Sequence, residues 1–117
     1  MNRALTTDEY RLARWLLERG KPEVLKYLPQ LDRARVTPWK CPCGCASIHF
    51  AIDGCPASSG GMENLGDFVF GEGDDINGIF TYAQNGILGG IEVYGLPGAA
   101  SKFLPLPEAI RPFENSR

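Results

Sequence analysis

The chain has 117 residues, 44% hydrophobic and 22% charged, with a net charge of −2; this fits one domain, since two pieces would each be too small to bury a useful core. The composition is that of an ordinary globular protein and excludes a disordered one. No apolar run approaches the roughly 18 residues of a membrane span, and the opening MNRALTTDEY lacks the apolar stretch of a secretory signal, so a cytoplasmic protein with reduced thiols is expected.

The first element announces itself through its cap. Thr6 can accept from the backbone three residues on while Glu9 reaches back, and Leu5 can pack on Tyr10. Leu12, Ala13, Leu16 and Leu17 follow at helical spacing with Trp15 at the stripe's edge, and Gly20 offers a left-handed stop. A helix is predicted from Thr7 to Arg19. Pro22 suits the first position of a second, shorter helix that would bury Val24, Leu25 and Leu28 before Pro29 interrupts it, with Leu31 joining the same core.

From Arg35 the period changes to two. Ile48, Phe50 and Ile52 alternate with Ser47, His49, Ala51 and Asp53, which is the pattern of a half-buried strand. Asp67-Phe68-Val69-Phe70 is a further strand between glycines. Asn85-Gly86 is a type I′ hairpin signal; taken as the loop, it predicts Phe80 opposite Ile91, Gly78 opposite Val93 and Ile79 opposite Glu92. Leu104-Pro105-Leu106-Pro107 is too rich in proline for a central strand, so the end of the chain is expected along the surface with one helical turn at Glu108 to Arg111. The expectation is a single α+β domain over residues 1–117. Residues 1–34 form two helices packed on one face of a mostly antiparallel sheet of about four strands, residues 35–96 form that sheet, and residues 97–117 are an extended Pro-rich tail.

Charge is divided by segment. Residues 1–40 hold nine Lys or Arg against five Asp or Glu, whereas residues 41–101 hold seven carboxylates and no Lys or Arg. Single-sign clustering favours an oppositely charged partner, and a basic protein is expected. The candidate partner-binding residues are Glu72, Asp74, Asp75, Asp67 and Glu92. The alternative is that the helices' Lys and Arg pair with these carboxylates inside the fold. The 72–75 cluster does not fit a calcium loop, since aligning Gly78 with the loop glycine puts Gly73 and Gln84 where carboxylates belong. A net-negative chain with an acidic middle is also a poor general binder of nucleic acid.

Cys41-Pro42-Cys43-Gly44-Cys45, with His49 and Cys55 nearby, is the only concentration of soft ligands. Cys41, Cys43, Cys45 and His49 would make a tetrahedral zinc site if the segment turned sharply. As an extended strand at about 3.3 Å per residue, Cys41 and Cys45 would stand about 13 Å apart. Pro42 and Gly44 allow a turn, so zinc binding or thiol redox chemistry is the alternative to reduced cysteines with no chemistry. One histidine and no G-x-S-x-G run give serine-hydrolase chemistry no support, and no catalytic residue is predicted.

Leu16-Leu17, Leu28-Pro29-Gln30-Leu31, Cys43-Gly44-Cys45-Ala46-Ser47-Ile48 and Ile91-Glu92-Val93-Tyr94 together resemble a group of small bacterial proteins carrying a C-x-C-G-C-x-S segment. Some small acidic bacterial proteins of this build are immunity proteins of the contact-dependent growth inhibition type. The resemblance implies a cytosolic binding protein with no catalytic residues to carry over; the partner of such an immunity protein is a cognate toxin.

Overall fold

The computed structural model describes residues 1–56 and 61–113. Helix α1 (Thr7–Glu18) starts where its cap requires: Thr6 Oγ1 accepts from the Glu9 N–H at 3.0 Å, and Glu9 Oε1 accepts from the Thr6 N–H at 2.8 Å. Arg3 locks the same carboxylate with two bonds of 2.9 Å. The helix buries Leu12, Ala13, Leu16 and Leu17.

The second helical segment differs from expectation. Pro22–Tyr27 is a 3₁₀ helix, followed by the single α turn α2 (Leu28–Leu31) with Pro29 in its first turn. A three-residue repeat turns Val24 and Tyr27 inward and leaves Leu25 49% exposed. Val24 and Leu31 are buried as expected and Leu28 packs partly buried against the core, while Tyr27 takes the inward place expected of Leu25.

The expected four-stranded sheet under two helices is overturned. Among the described residues the chain forms nine antiparallel strands with two short helices, and it is mostly sheet. The strands are β1 (Arg3–Ala4), β2 (Ala34–Val36), β3 (Ile48–Ile52), β4 (Cys55–Pro56), β5 (Met62–Asn64), β6 (Phe68–Phe70), β7 (Asn77–Gln84), β8 (Ile87–Gly95) and β9 (Arg111–Pro112). They run in the order β1-β2-β3-β8-β7-β6-β9, with β4 on β3 and β5 on β7. Five of the nine were not expected because two or three residues are too few to display alternation. The Pro-rich end is part of the sheet rather than a surface tail alone: β9 pairs with β6, an edge place that Pro112 tolerates, and the helical turn falls at Pro107–Ala109.

The hairpin β7–β8 is the centre of the sheet. Asn85 and Gly86 form its loop with φ of 54° and 80°, and Gln84 pairs with Ile87 and Ala83 with Leu88, the register the turn predicts. Beyond Tyr82 that register is overturned by one residue. Tyr82 pairs with Gly90, so Gly89 is bulged out, and from there Thr81 meets Ile91, Phe80 meets Glu92, Ile79 meets Val93 and Gly78 meets Tyr94. A slip of one exchanges the faces of a strand. Ile79, Ile91 and Val93 therefore join Phe50, Phe68 and the α1 leucines in the core, while Phe80, Glu92 and Tyr94 look out on the opposite side.

Candidate metal centre and the open sheet face

The cysteine segment connects β2 to β3. Thr37 N–H extends the strand pairing onto the His49 carbonyl at 2.9 Å, and the chain then leaves the sheet. It does not run extended. Gly44 N–H bonds the Cys41 carbonyl at 2.9 Å, and Gly44 takes φ of +86°, a left-handed value that glycine adopts without strain. The turn is pinned from outside, since Ala46 N–H reaches the Ser101 carbonyl at 2.9 Å.

This turn gathers the thiols of Cys41, Cys43 and Cys45, whose sulfurs all lie within 4.8 Å of one another. Cys41 and Cys43 Sγ are 2.9 Å apart, and Cys45 N–H points at Cys43 Sγ at 3.3 Å. The sharp turn that Pro42 and Gly44 allow is therefore present, and the thiols stand far closer than the roughly 13 Å of an extended segment. Cys45 Sγ also lies 3.4 Å from Ser47 Oγ. Hydrogen bonding with Cys43 pushes the Cys41 thiol up to about 11. Burial works upward on Cys45, but hydrogen bonds from Ser47 and the two neighbouring thiols outweigh it and lower its pKa.

A cleft of about 710 Å³ adjoins the turn, lined among others by Cys41, Cys45, Trp39, Lys40 and Lys102. Lys102 sits close to Gly44. Sequence reasoning found Lys40 as the local cation and missed Lys102, which arrives from the C-terminal end of the chain.

His49 does not join the cysteines. Its ring stacks on Trp39 with centroids 3.7 Å apart and planes within 3°, and burial lowers its pKa. It occupies the face opposite Ile48 and Phe50, as alternation predicts. Cys55 is exposed on β4 and lies outside the cluster.

The acidic residues divide into two places. Glu72, Asp74 and Asp75 are exposed on the 3₁₀ turn between β6 and β7 (Gly73–Asp75), as expected for that turn. Asp67 and Glu92 belong to the outer side of the sheet, here called the open face because α1 covers the other one. Glu92 pairs with Phe80, and Asp67 precedes Phe68, which pairs with Ile79, so the two carboxylates flank Phe80. Tyr94 lies 6.0 Å from Phe80, Tyr82 lies 6.4 Å from it, and His49 lies 6.3 Å from Tyr82, extending the row of rings to Trp39. Tyr94 lies over Gly78 and Tyr82 over Gly89, each filling the space that a glycine leaves across the strand pair. Burial raises the Glu92 pKa against a hydrogen bond from Ser47. Burial likewise pushes Tyr82 up to about 12, helped by the Glu92 charge.

Ser47 was not singled out from the sequence, yet it joins the two regions. It is buried, accepts from Val93 N–H at 2.9 Å, and stands beside both Cys45 and Glu92. Its signal was the i, i+2 spacing Cys45-x-Ser47-x-His49, which places alternate residues on one side of an entering strand.

No helix among the described residues is long and apolar enough to cross a membrane. No family model, no curated protein and no solved structure matches this chain, so its fold and sites carry the functional argument by themselves.

Proposed function

We propose that this chain binds a thiophilic divalent metal ion of the zinc class through Cys41, Cys43 and Cys45. The observation that carries this is the mutual approach of the three sulfurs to within 4.8 Å. Tetrahedral thiolates at about 2.3 Å from zinc stand about 3.8 Å apart, a spacing this turn reaches with small side-chain movements. The N–H of Cys45 points at Cys43 Sγ at 3.3 Å and helps hold that sulfur in the cluster, and a reducing cytoplasm keeps all three thiols available. Among the described residues no histidine, carboxylate or fourth cysteine completes the set. Three protein ligands with an open fourth position are the pattern of a reactive or ligand-exchanging zinc rather than of a closed structural one.

The test is metal analysis of reduced protein purified without chelator, followed by cobalt substitution. Near-stoichiometric zinc, and a thiolate-to-cobalt charge-transfer band lost in Cys43→Ser with the fold intact by circular dichroism, are expected. Metal-free protein that gives no cobalt band while all its thiols are reduced sinks the proposal.

A second reading, a protein-binding module for a basic partner, is favoured by the ion pairs. Five of the six join residues outside the acidic segment 41–101, and among the described residues only Arg33–Asp53 pairs a carboxylate of that segment with a Lys or Arg. Arg3 pairs with Glu9, Arg11 with Asp8 and Glu108, and Arg14 and Arg19 with Glu18, all outside that segment. Glu72, Asp74, Asp75, Asp67 and Glu92 remain to meet a partner's charge. An immunity protein held on a cognate toxin is one form such a module takes. Reversing Glu72, Asp74 and Asp75 to Lys is expected to weaken capture of basic proteins from the native cell; a set of captured proteins unchanged by the reversal counts against this reading.

A further inference from the structure

The open sheet face combines three properties that reinforce each other. It carries negative charge at Asp67 and Glu92, on either side of Phe80. It carries a continuous row of rings, Tyr94, Phe80, Tyr82, His49 and Trp39, in which Tyr82 is buried and Phe80 and Tyr94 are partly exposed, and the face of an exposed ring carries negative charge. And no cation among the described residues is paired with these carboxylates. Neither Asp67 nor Glu92 takes part in an ion pair among the described residues. The nearest arginine in the register is Arg111, opposite Val69 at the sheet edge, and its guanidinium is held by the Gly71 carbonyl at 2.8 Å. Asp67 accepts from the neutral Asn64 amide at 2.8 Å, and the polar group beside Glu92 is the neutral hydroxyl of Ser47.

A half-buried carboxylate has lost part of its hydration, and a cation that pairs with it offsets that loss. Rings attract the same cation through their faces, by about 0.5 to 2 kcal/mol according to how dry the contact is. Of the two biological cations on side chains, the guanidinium suits this site better, because its plane stacks on a ring while its edge pairs with a carboxylate.

We propose that the open sheet face docks an arginine-bearing segment of a partner protein, with a guanidinium against Phe80 and Tyr94 and its edge on Glu92 and Asp67. This rests on the protein-binding reading and moves its centre from the exposed turn to the sheet. Rows of aromatic rings on sheets also stack the bases of single-stranded RNA, but two carboxylates among the rings repel the phosphates that such a strand brings with it.

The experiment uses the whole chain and three probes: a capped hexa-arginine peptide, a capped hexa-lysine peptide and a short oligo-uridine, each titrated by calorimetry at low and moderate salt. Hexa-arginine is expected to bind more tightly than hexa-lysine, and oligo-uridine to bind weakly or not at all. The Asp67→Asn/Glu92→Gln pair should lower hexa-arginine affinity at least about tenfold, a loss of about 1.4 kcal/mol. Phe80→Ala should weaken it as well, and both variants should keep the native circular dichroism spectrum. The triple Lys reversal of Glu72, Asp74 and Asp75 should cost less than either. If only the turn reversal weakens the peptide, the docking face is wrong and the protein-binding reading survives. If hexa-arginine fails to bind at all, both fall and the metal proposal is untouched. Tighter binding of oligo-uridine than of hexa-arginine also overturns the docking proposal.

Discussion

The two faces of the β7–β8 hairpin are made of the same strands and solve opposite problems. On the core side Ile79, Thr81, Ile91 and Val93 are at most 2% exposed, closed in by α1 and by Phe50 and Phe68. On the open side the same strands present Phe80, Glu92 and Tyr94, only partly covered and with charge among the rings. One residue separates these outcomes. Without the bulge at Gly89, Glu92 would stand with the core residues and Val93 with the surface ones. A single irregularity in the backbone therefore decides where this sheet is apolar and where it is chemically equipped.

The largest way to break the comparison is to truncate one ring on each side. Phe50 is fully buried, and Phe50→Ala should cost about 3 to 5 kcal/mol, enough to unfold much of a marginally stable population. Phe80→Ala, which removes a half-buried ring and its contacts with Tyr82 and Tyr94, should cost about 1 kcal/mol. Urea unfolding of both variants measures the ratio. Equal losses would mean that the open face is as closely packed as the core and is not a surface.

The bulge comes next. Gly90 has φ of +152°, and a Cβ there would run into the carbonyl of Ile48 on β3. Gly86 also has positive φ, +80°, but nothing lies within 4 Å of a Cβ at that position. Gly90→Ala is expected to cost about 1 to 3 kcal/mol and to disturb the β3–β8 pairing, whereas Gly86→Ala should cost about 1 kcal/mol, through conformation alone. Amide exchange on β3 separates them: faster exchange at His49 in the Gly90 variant only is the expected sign.

These contrasts also mark what the sequence could convey. The start of α1 was legible because its cap is local: Thr6 and Glu9 find each other within three residues. The hairpin turn was legible for the same reason. The register beyond it was not, since the bulge depends on Tyr82 settling over Gly89 and on Gly90 lying against β3, contacts between distant segments. The cysteine cluster sat in between. Pro42 and Gly44 permitted the turn, but the tether from Ala46 to Ser101 that holds it comes from residues 55 positions later. The short edge strands carried no pattern at all, and β9 in particular is defined by its partner β6.

The smallest effect is the one that bears most directly on the open face. Burial raises the Glu92 carboxyl above its ordinary range, with Tyr82, Tyr94, Asp67 and His49 as the titratable groups on the same face and Ser47 as its hydrogen-bonding neighbour. The native state then holds this proton more tightly than the unfolded chain does. The sign follows: Glu92 adds stability below the unfolded-chain carboxylate pKa of about 4, and this is lost as pH rises through its raised native value. Glu92→Gln carries no such charge at any pH. The variant should therefore match the native chain near pH 4 and exceed it slightly in melting temperature at neutral pH, even as it loses affinity for arginine peptides. Melting curves from about pH 4 to 8 check this. A variant less stable than the native chain at neutral pH would mean that the Glu92 charge is already answered within the fold. The open face would then be a second packed surface, and the contrast between the two sides of the sheet would be one of composition without consequence for binding.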